Sequence, residues 1–253
     1  MALRVAEGAE VIDRGDHLVI RSPDNPGFWW GNFLLLGAMP ETGAAGPWLA
    51  RFAAEFPAAR HVALAVDTIQ AADGQAVAPA EFGAAGLEPV PGTVLTCAAV
   101  RPPPHLNGAA EIRPLVSDAD WRQSFELGVR CFGADGAQEY LKRRAAARRR
   151  LTQAGGGAWF GAFSAGRLLA QLGVCDAGDG FARYQDVETD PAARRRGLAG
   201  TLVWHAGRYG REALGASTLV IVADPKESAI RLYRACGFTD LESQLAFERP
   251  SPE

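Results

Sequence analysis

The residues that point most clearly to chemistry form a loop rich in arginine and glycine. It reads Asp190-Pro191-Ala192-Ala193-Arg194-Arg195-Arg196-Gly197-Leu198-Ala199-Gly200. The proline limits the preceding strand, and Gly197 lets the backbone approach a ligand where a Cβ would crowd it. A glycine-containing turn that opens into a helix directs successive N–H groups and the positive end of the helix dipole at one point. The loop therefore predicts an anion site, to which two of the three arginines could add charge-assisted contacts with phosphate.

Two other kinds of phosphate site are excluded here. A nucleotide P-loop requires Gly-Lys-Ser or Gly-Lys-Thr, whereas Gly200 is followed by Thr201 and Leu202. A dinucleotide site requires a G-x-G-x-x-G pattern, which the loop lacks. For the arginines taken alone, a solvated turn is the alternative, because charge runs usually face solvent.

The elements that position this loop follow a regular alternation. After about residue 110 we expect, in chain order, a strand at Glu111–Leu115, a helix that begins at Ser117, a helix from Ala137 to about Gln153, strands at Ala158–Phe163, Leu168–Cys175 and Ala182–Thr189, the helix after the loop, a strand at Thr218–Val222, a helix at Glu227–Cys236 and a strand pair over about Leu241–Glu248. The helices are predicted from apolar residues at helical spacing, and Ser117 with Asp120 is predicted to form a capping box. This order predicts an α/β (α+β) fold with a mixed sheet and helices on both of its sides.

The first hundred residues are expected to form a smaller second unit. Its predicted elements are strands at Glu10–Asp13, Leu18–Arg21, Phe28–Leu36, His61–Asp67 and Thr93–Ala99, and helices at Pro47–Phe56 and around Pro79–Ala85. Three consecutive prolines within Arg101–Gly108 favour extended backbone and indicate a semi-rigid linker. We therefore expect domains at 1–100 and 110–253 with a proline-rich linker at 101–109.

Two motifs carry a family resemblance. Arg194-x-x-Gly197-x-Ala199, after a strand that ends Val187-x-Thr189-x-Pro191, resembles motif A of the GNAT N-acetyltransferase superfamily. About forty residues later, the segment Ala229–Phe238 resembles motif B of that superfamily. The resemblance covers about Ala110–Arg249 and implies a mixed, mostly antiparallel sheet flanked by helices.

The resemblance also implies an activity and a set of site residues. It implies acetyl transfer from acetyl-CoA to an amine by direct attack, without a covalent enzyme intermediate and without a metal. The implied donor site has two parts: the strand backbone at Val187, Glu188 and Thr189 would hold the pantetheine arm, and the loop would hold the pyrophosphate. The loop residues expected to contact the donor are Arg194, Arg195, Arg196, Gly197, Leu198, Ala199, Gly200 and Thr201. Tyr233 stands where the family places the tyrosine that protonates the departing thiolate; its alternative is a core position on its helix.

The general base is left open by the sequence. Candidates are Glu188, Asp186, Tyr184, Glu139 and His205, of which Glu188 and Asp186 are favoured because they lie on the strand nearest the expected thioester. Water could also remove the proton. One departure from the family pattern is Lys226, which stands where an asparagine often contacts the donor and which could approach its phosphates or simply be exposed.

The first half resembles a worn second copy of the same module. Phe82-Gly83-Ala84-Ala85-Gly86-Leu87 mirrors Tyr233–Phe238, and the loop Gly37–Pro47 has no arginine. Because Phe82 has no proton to donate, we expect this copy to be catalytically inactive. It would instead support the other half or line its acceptor cleft. Trp29 and Trp30 are candidates for that contact or for the core.

Composition limits the partners. The 253 residues are 48% hydrophobic and 22% charged with a formal net charge of −3, which suits a globular protein and argues against nucleic acid as the main partner. The four scattered cysteines form no metal or redox motif. No signal-peptide core or membrane-length apolar run is expected, which indicates a cytoplasmic protein. A homodimer is an open alternative to a monomer.

Two classes of function remain from the sequence. The first is an N-acetyltransferase for the primary amine of a small molecule or peptide; the second is a non-catalytic acyl-CoA-binding sensor or scaffold. Acetylation of an RNA-linked amine is disfavoured by the acidity of the chain. An arginine-rich helix face, formed by Arg143, Arg144, Arg148, Arg149 and Arg150, suits either an acidic acceptor or plain solvation.

Overall fold

The computed structural model describes residues 1–67, 70–71, 80–133 and 138–249. The helices are α1 (Ala2–Ala6), α2 (Ala45–Glu55), α3 (Ala80–Ala84), α4 (Asp118–Phe132), α5 (Gln138–Gln153), α6 (Leu198–Glu212) and α7 (Ala229–Ala235), with 3₁₀ turns at Trp29–Gly31 and Pro191–Ala193. The strands are β1 (Glu10–Asp13), β2 (His17–Arg21), β3 (Phe33–Leu36), β4 (Val62–Val66), β5 (Gln70–Ala71), β6 (Glu88–Cys97), β7 (Glu111–Pro114), β8 (Gly157–Ser164), β9 (Arg167–Gly178), β10 (Phe181–Thr189), β11 (Thr218–Ala223) and β12 (Thr239–Arg249).

The twelve strands of the described residues belong to one sheet. Its order is β1-β2-β3-β4-β12-β6-β11-β10-β9-β8-β7, with β5 beside β12. The pairs β3–β4 and β10–β11 are parallel, and the other described pairs are antiparallel. Residues of α4 pack with Trp159 of β8 in one buried hydrophobic cluster. Residues of α6 and α7 pack in another cluster, on the opposite side of the sheet. The predicted mixed, mostly antiparallel sheet flanked by helices is confirmed.

The two halves exchange their last strands. β6 belongs to the first half in sequence but pairs with β11, while β12 at the end of the chain pairs with β4. β6 and β12 also pair with each other from Glu88 to Thr96 along the centre of the sheet. The domain limits at 1–100, 101–109 and 110–253 stay a prediction, and the sheet runs across them.

Three expected strands differ from those observed. The start of Phe28–Leu36 is a 3₁₀ turn, because Phe28 to Gly31 close turn hydrogen bonds before β3 begins. β6 begins at Glu88, earlier than expected, and accommodates Pro89 and Pro91 because β11 pairs only with Thr93–Cys97. Proline cannot donate to a ladder, so it fits where one side of a strand has no partner. The strand pair expected at the end is a single long strand, β12.

Helix boundaries follow their caps. Ser117 accepts from the amide of Asp120, and the Asp120 carboxylate accepts from the amide of Ser117, which confirms the predicted capping box of α4. The expected first residue of α5, Ala137, lies outside the described residues. α7 begins at Ala229, two residues after the expected Glu227, because the preceding segment forms a turn closed by the Asp224 carbonyl. Among the described residues, no helix is long and apolar enough to cross a membrane.

Candidate functional site

The sheet opens between β10 and β11. Their parallel pairing covers only Phe181–Arg183 against Thr218–Val220, although β11 continues to pair with β6 as far as Ala223. Beyond Arg183, the edge of β10 that faces β11 has no strand partner within the described part of the chain, so an extended ligand could pair with it in the manner of an added strand.

A β-bulge lies where the strands separate. Gln185 is opposite Gly173 on β9, and Glu188 is opposite Gln171, so three steps along β10 match two along β9. Asp186 takes up the extra residue with φ of +48°, in the left-handed region that residues other than glycine seldom adopt. Because bulges redirect the residues next to them, this one sets the direction of the Val187 amide and of the Glu188 side chain.

An open cavity of about 520 Å³ occupies the gap. Its size is within the range of small-molecule sites. It is lined by ten of the residues that the sequence proposed: Val187, Glu188, Thr189, Arg194, Arg195, Gly197, Leu198, Ala199, Gly200 and Tyr233. The structure thus brings the strand end, the loop and the motif B tyrosine to one place. Arg196 and Thr201 do not line the cavity, nor does the exposed Lys226.

The start of α6 presents unpaired amides to this cavity. Gly197 is the N-cap residue with φ of +75° and has no side chain with which to cap the helix. The amides of Leu198, Ala199 and Gly200 therefore have no acceptor within the helix, since the first intrahelical acceptor, the Gly197 carbonyl, serves Thr201. Three such amides at the positive end of a helix favour an anion.

The proline-rich segment supports the loop from behind. A Cβ on Gly197 would lie 2.5 Å from the backbone oxygen of His105, and one on Gly200 would lie 2.9 Å from Pro103. The Asn107 amide donates to the Thr201 hydroxyl at 2.8 Å, and the Asn107 side chain donates to the Arg196 carbonyl at 2.8 Å. Thr201 is buried and in turn donates to the Gly197 carbonyl. The segment 101–109, which the sequence predicted to be a linker, therefore supports the loop. Thr201 supports it from within α6.

Tyr233 reaches the cavity from α7. Tyr233 is 5% exposed, and no hydrogen bond of its hydroxyl is found within the described residues. Burial raises the pKa of Tyr233 to about 12, with a smaller contribution from Cys236. A phenol in this state stays protonated through the physiological range and can donate a proton.

Glu188 is held from two sides. One carboxylate oxygen accepts from Arg148 Nη2 at 3.1 Å and the other from Gln171 Nε2 at 2.6 Å. Gln171 is itself anchored on the Ser124 carbonyl of α4. The residue is 5% exposed yet lines the cavity, so the two hydrogen bonds hold a carboxylate beside the gap.

The other candidate bases are placed less favourably. Asp186 is gripped by two arginines: burial alone would raise its pKa, but Arg144 and Arg148 outweigh burial and hold the pKa below its usual range. The Tyr184 hydroxyl donates to the Val203 carbonyl at 2.7 Å, and burial raises its pKa well above the ordinary value. Glu139 pairs with Arg143 on the surface of α5, and neither it nor His205 lines the cavity.

The expectation of a solvated arginine face on α5 is wrong for two of its members. Arg144 and Arg148 are buried, because they turn inward to pair with acidic residues of β10. Arg143, Arg149 and Arg150 form ion pairs nearer the surface.

Sequence reasoning missed part of the rim. Phe132, the last residue of α4, is 62% exposed and lines the cavity beside Cys131. The Cys131 thiol lies 3.5 Å from the Thr189 carbonyl, and burial raises its pKa to about 11. The position of Phe132 at the very end of α4 was the signal available, since a terminal apolar residue need not face the core.

The first half has a different arrangement at the corresponding place. Phe82 packs against Phe247 with 4.5 Å between ring centroids. The Glu81 carboxylate accepts from the amides of Gly43 at 2.6 Å and Ala45 at 3.2 Å, at the start of α2. A carboxylate of the chain thus occupies the N-terminus of α2, whereas the N-terminus of α6 faces the cavity.

Comparison with known proteins identifies the family. The sequence profile of the acetyltransferase (GNAT) family matches residues 91–238, more than half of the chain. The chain belongs to the GNAT acetyltransferase family. The family carries out acetyl transfer from acetyl-CoA, so this cavity lies in a fold used for that chemistry.

Solved structures resemble nearly the whole chain. A functionally unknown conserved protein from Staphylococcus epidermidis is 11% identical, with a TM-score of 0.70 over 96% of this chain and 95% of that one. A GCN5-related N-acetyltransferase from Kribbella flavida is 14% identical, with a TM-score of 0.63 over 100% and 96%. A tandem GNAT protein from the clavulanic acid biosynthesis pathway is 16% identical, with a TM-score of 0.55 over 94% and 83%. At these identities the likeness shows the fold. The sequence matches no curated protein.

Proposed function

We propose that this protein is an acetyl-CoA-dependent N-acetyltransferase that acts on a primary amine of a small molecule or peptide. The observation that carries the proposal is the convergence, on one cavity, of an unpaired strand edge, three uncapped helix amides and a buried tyrosine. Each feature matches a different part of the donor: an extended amide-bearing arm, a pyrophosphate and a thioester.

The donor would be bound mainly through the backbone. Val187 and Thr189 would pair with the pantetheine amides along the free edge of β10, and Leu198 to Gly200 would donate to the pyrophosphate. Arg194 and Arg195 are exposed at the mouth of the cavity, where they can contact phosphate oxygens. Arg196, which lies outside the lining, would act at most at long range.

Three groups of this chain would serve the transfer step. The amine nitrogen forms a bond to the carbonyl carbon of the thioester while the carbon–sulfur bond breaks and its electron pair leaves with sulfur. The Val187 N–H would stabilise the charge that develops on the carbonyl oxygen. Tyr233 would donate its proton to the departing thiolate.

Glu188 is the residue that we propose as the acceptor of the proton lost by the attacking amine. The amine must lose a proton, and two carboxylates line the cavity, Glu188 on β10 and Glu227 before α7. We favour Glu188 because it directly follows the Val187 amide on the strand. Asp186 is a weaker choice, because it does not line the cavity and two arginines hold its pKa below the usual range of an aspartate. Glu188 would take the proton directly or through one water.

Release of free CoA across a panel of small and peptide amines tests the proposal. Tyr233→Phe is expected to lower kcat by on the order of 10²-fold or more, with little change in acetyl-CoA affinity. Tyr209→Phe is the matched control, because Tyr209 packs on Phe160 outside the cavity. Tight acetyl-CoA binding without acetylation of any amine, and with no effect of Tyr233→Phe, would support a binding module instead.

A further inference from the structure

Two buried arginines of α5 converge on the bulge of β10. Arg144 Nη2 lies 2.6 Å from both carboxylate oxygens of Asp186, and Arg148 Nη2 lies 2.7 Å from Asp186 and 3.1 Å from Glu188. Two cations and two anions thus form a compact, charge-balanced cluster. Such a cluster has strict geometry, because each charge removed from water needs its partner in place.

This cluster holds a backbone conformation that would not persist alone. Asp186 has positive φ, and the register of β10 against β9 shifts at this point. Uncommon backbone conformations persist when their surroundings over-determine them. Here the determining contacts come from the Asp186 side chain, and the next amide along the chain is that of Val187.

The first half of the chain packs on the outer side of Arg144. The Phe28 ring covers the guanidinium of Arg144 at 4.2 Å and lies 5.6 Å from the Tyr140 ring. Asn25 donates to the Tyr140 carbonyl at 3.2 Å, and Arg143 donates to the Asp24 carbonyl at 3.1 Å. A loop of the first half therefore grips α5 at the turn that carries Arg144.

The neighbouring tryptophans do not make this contact. Trp29 stacks on His61 within the first half, with 5.6 Å between ring centroids, and Trp30 packs against Phe33. The sequence offered Trp29 and Trp30 as candidates for a contact between the halves or for the core. Phe28 makes the contact with α5, while Trp30 hydrogen-bonds to Glu248 of β12.

We propose that the first half positions the catalytic strand through Phe28 and Arg144, which fix the bulge at Asp186 and thereby aim the Val187 amide. This inference rests on the proposed function, in which that amide stabilises the transition state. Phe28 and Arg144 are positioning residues, since neither lines the donor cavity. The worn half would thus contribute to the rate without binding a substrate.

Steady-state kinetics separate this role from simple stability. Phe28→Ala is expected to lower kcat by about tenfold to a hundredfold, as a displacement of up to about 1 Å at a reacting group can do, with an unchanged KM for acetyl-CoA. Trp29→Ala is the matched control, because it removes an aromatic ring from the same turn without touching α5. Phe28→Tyr keeps the ring over Arg144 and should restore the rate. All variants are assayed well below their unfolding temperatures.

Backbone NMR gives a readout that does not depend on turnover. In Phe28→Ala and in Arg144→Lys, the amide signals of Asp186 and Val187 should shift in the same direction, whereas Trp29→Ala should leave them in place. Unshifted signals in Phe28→Ala and Arg144→Lys would overturn the positioning role even in an active enzyme. Shifted signals in a protein that acetylates no amine would support the positioning of the bulge by Phe28 and Arg144 but would refute the proposed function.

Discussion

The sharpest perturbation of the donor site is a single methyl group on Gly197. Two costs can be worked out from the structure. The residue has φ of +75°, a conformation that costs an L-residue about 1–2 kcal/mol. A Cβ there would also lie 2.5 Å from the His105 carbonyl oxygen, so backbone must move, and overpacking of this kind typically costs about 1–3 kcal/mol.

The movement should reach the amides that are proposed to bind phosphate. Gly197 is the N-cap of α6, so a shift away from His105 displaces the adjacent amides of Leu198 to Gly200. We expect Gly197→Ala to lose about 2–5 kcal/mol of stability in denaturant titration, the sum of the two costs. The Kd for acetyl-CoA, measured by calorimetry, should rise by roughly tenfold or more, since one phosphate hydrogen bond lost is worth at least ~1.4 kcal/mol.

Gly215→Ala is the control that separates the cost of an unfavourable backbone conformation from an effect on the proposed donor site. Gly215 has φ of +67° just beyond α6, and a Cβ there meets nothing within 4 Å. It should show the first cost alone, with unchanged acetyl-CoA affinity. Equal donor affinity in Gly197→Ala and Gly215→Ala would refute the assignment of the loop as the phosphate site.

Three further predictions concern other parts of the chain. If Tyr233 is the proton donor with a pKa of about 12, kcat should show no loss from phenol ionisation up to about pH 10, and Tyr233→Phe should lower the whole pH profile; a wild-type decline between pH 8 and 9 that is missing in the variant would contradict this. Because Glu81 occupies the start of α2, calorimetry should find one acetyl-CoA per chain, and a second site in the wild type would count against a closed first half. Asp120→Ala should cost about 1–2 kcal/mol at pH 7 in denaturant titration. The Arg113 hydrogen bond holds the Asp120 pKa below its usual range, so this difference should persist above an aspartate's ordinary pKa of about 4 and vanish as the pH falls through the lower folded value; a difference constant down to pH 2 would contradict it.

Local patterns predicted which residues meet at the cavity between β10 and α6. The arginine–glycine loop was evident because its residues are contiguous: proline, arginines, glycine and helix start lie within eleven residues. Tyr233 was accessible through its motif, which lies on one short helix. The Ser117–Asp120 capping box is likewise a property of four neighbouring residues.

Long-range pairing escaped prediction. Nothing in the periodicity of β6 or β12 tells which half each strand will join, because an apolar alternating strand fits either sheet edge. The bulge at Asp186 depends on contacts with α5, more than thirty residues away. The burial of Arg144 and Arg148 follows from those same contacts, so in sequence they looked like the rest of a charged helix.

The most direct test of the central claim is a structure of the protein with CoA bound. The proposal predicts the pantetheine arm along Val187–Thr189, the pyrophosphate within hydrogen-bond distance of the Leu198–Gly200 amides, and the sulfur within reach of the Tyr233 hydroxyl. CoA bound elsewhere, or a Tyr233 hydroxyl directed away from the sulfur, would contradict it.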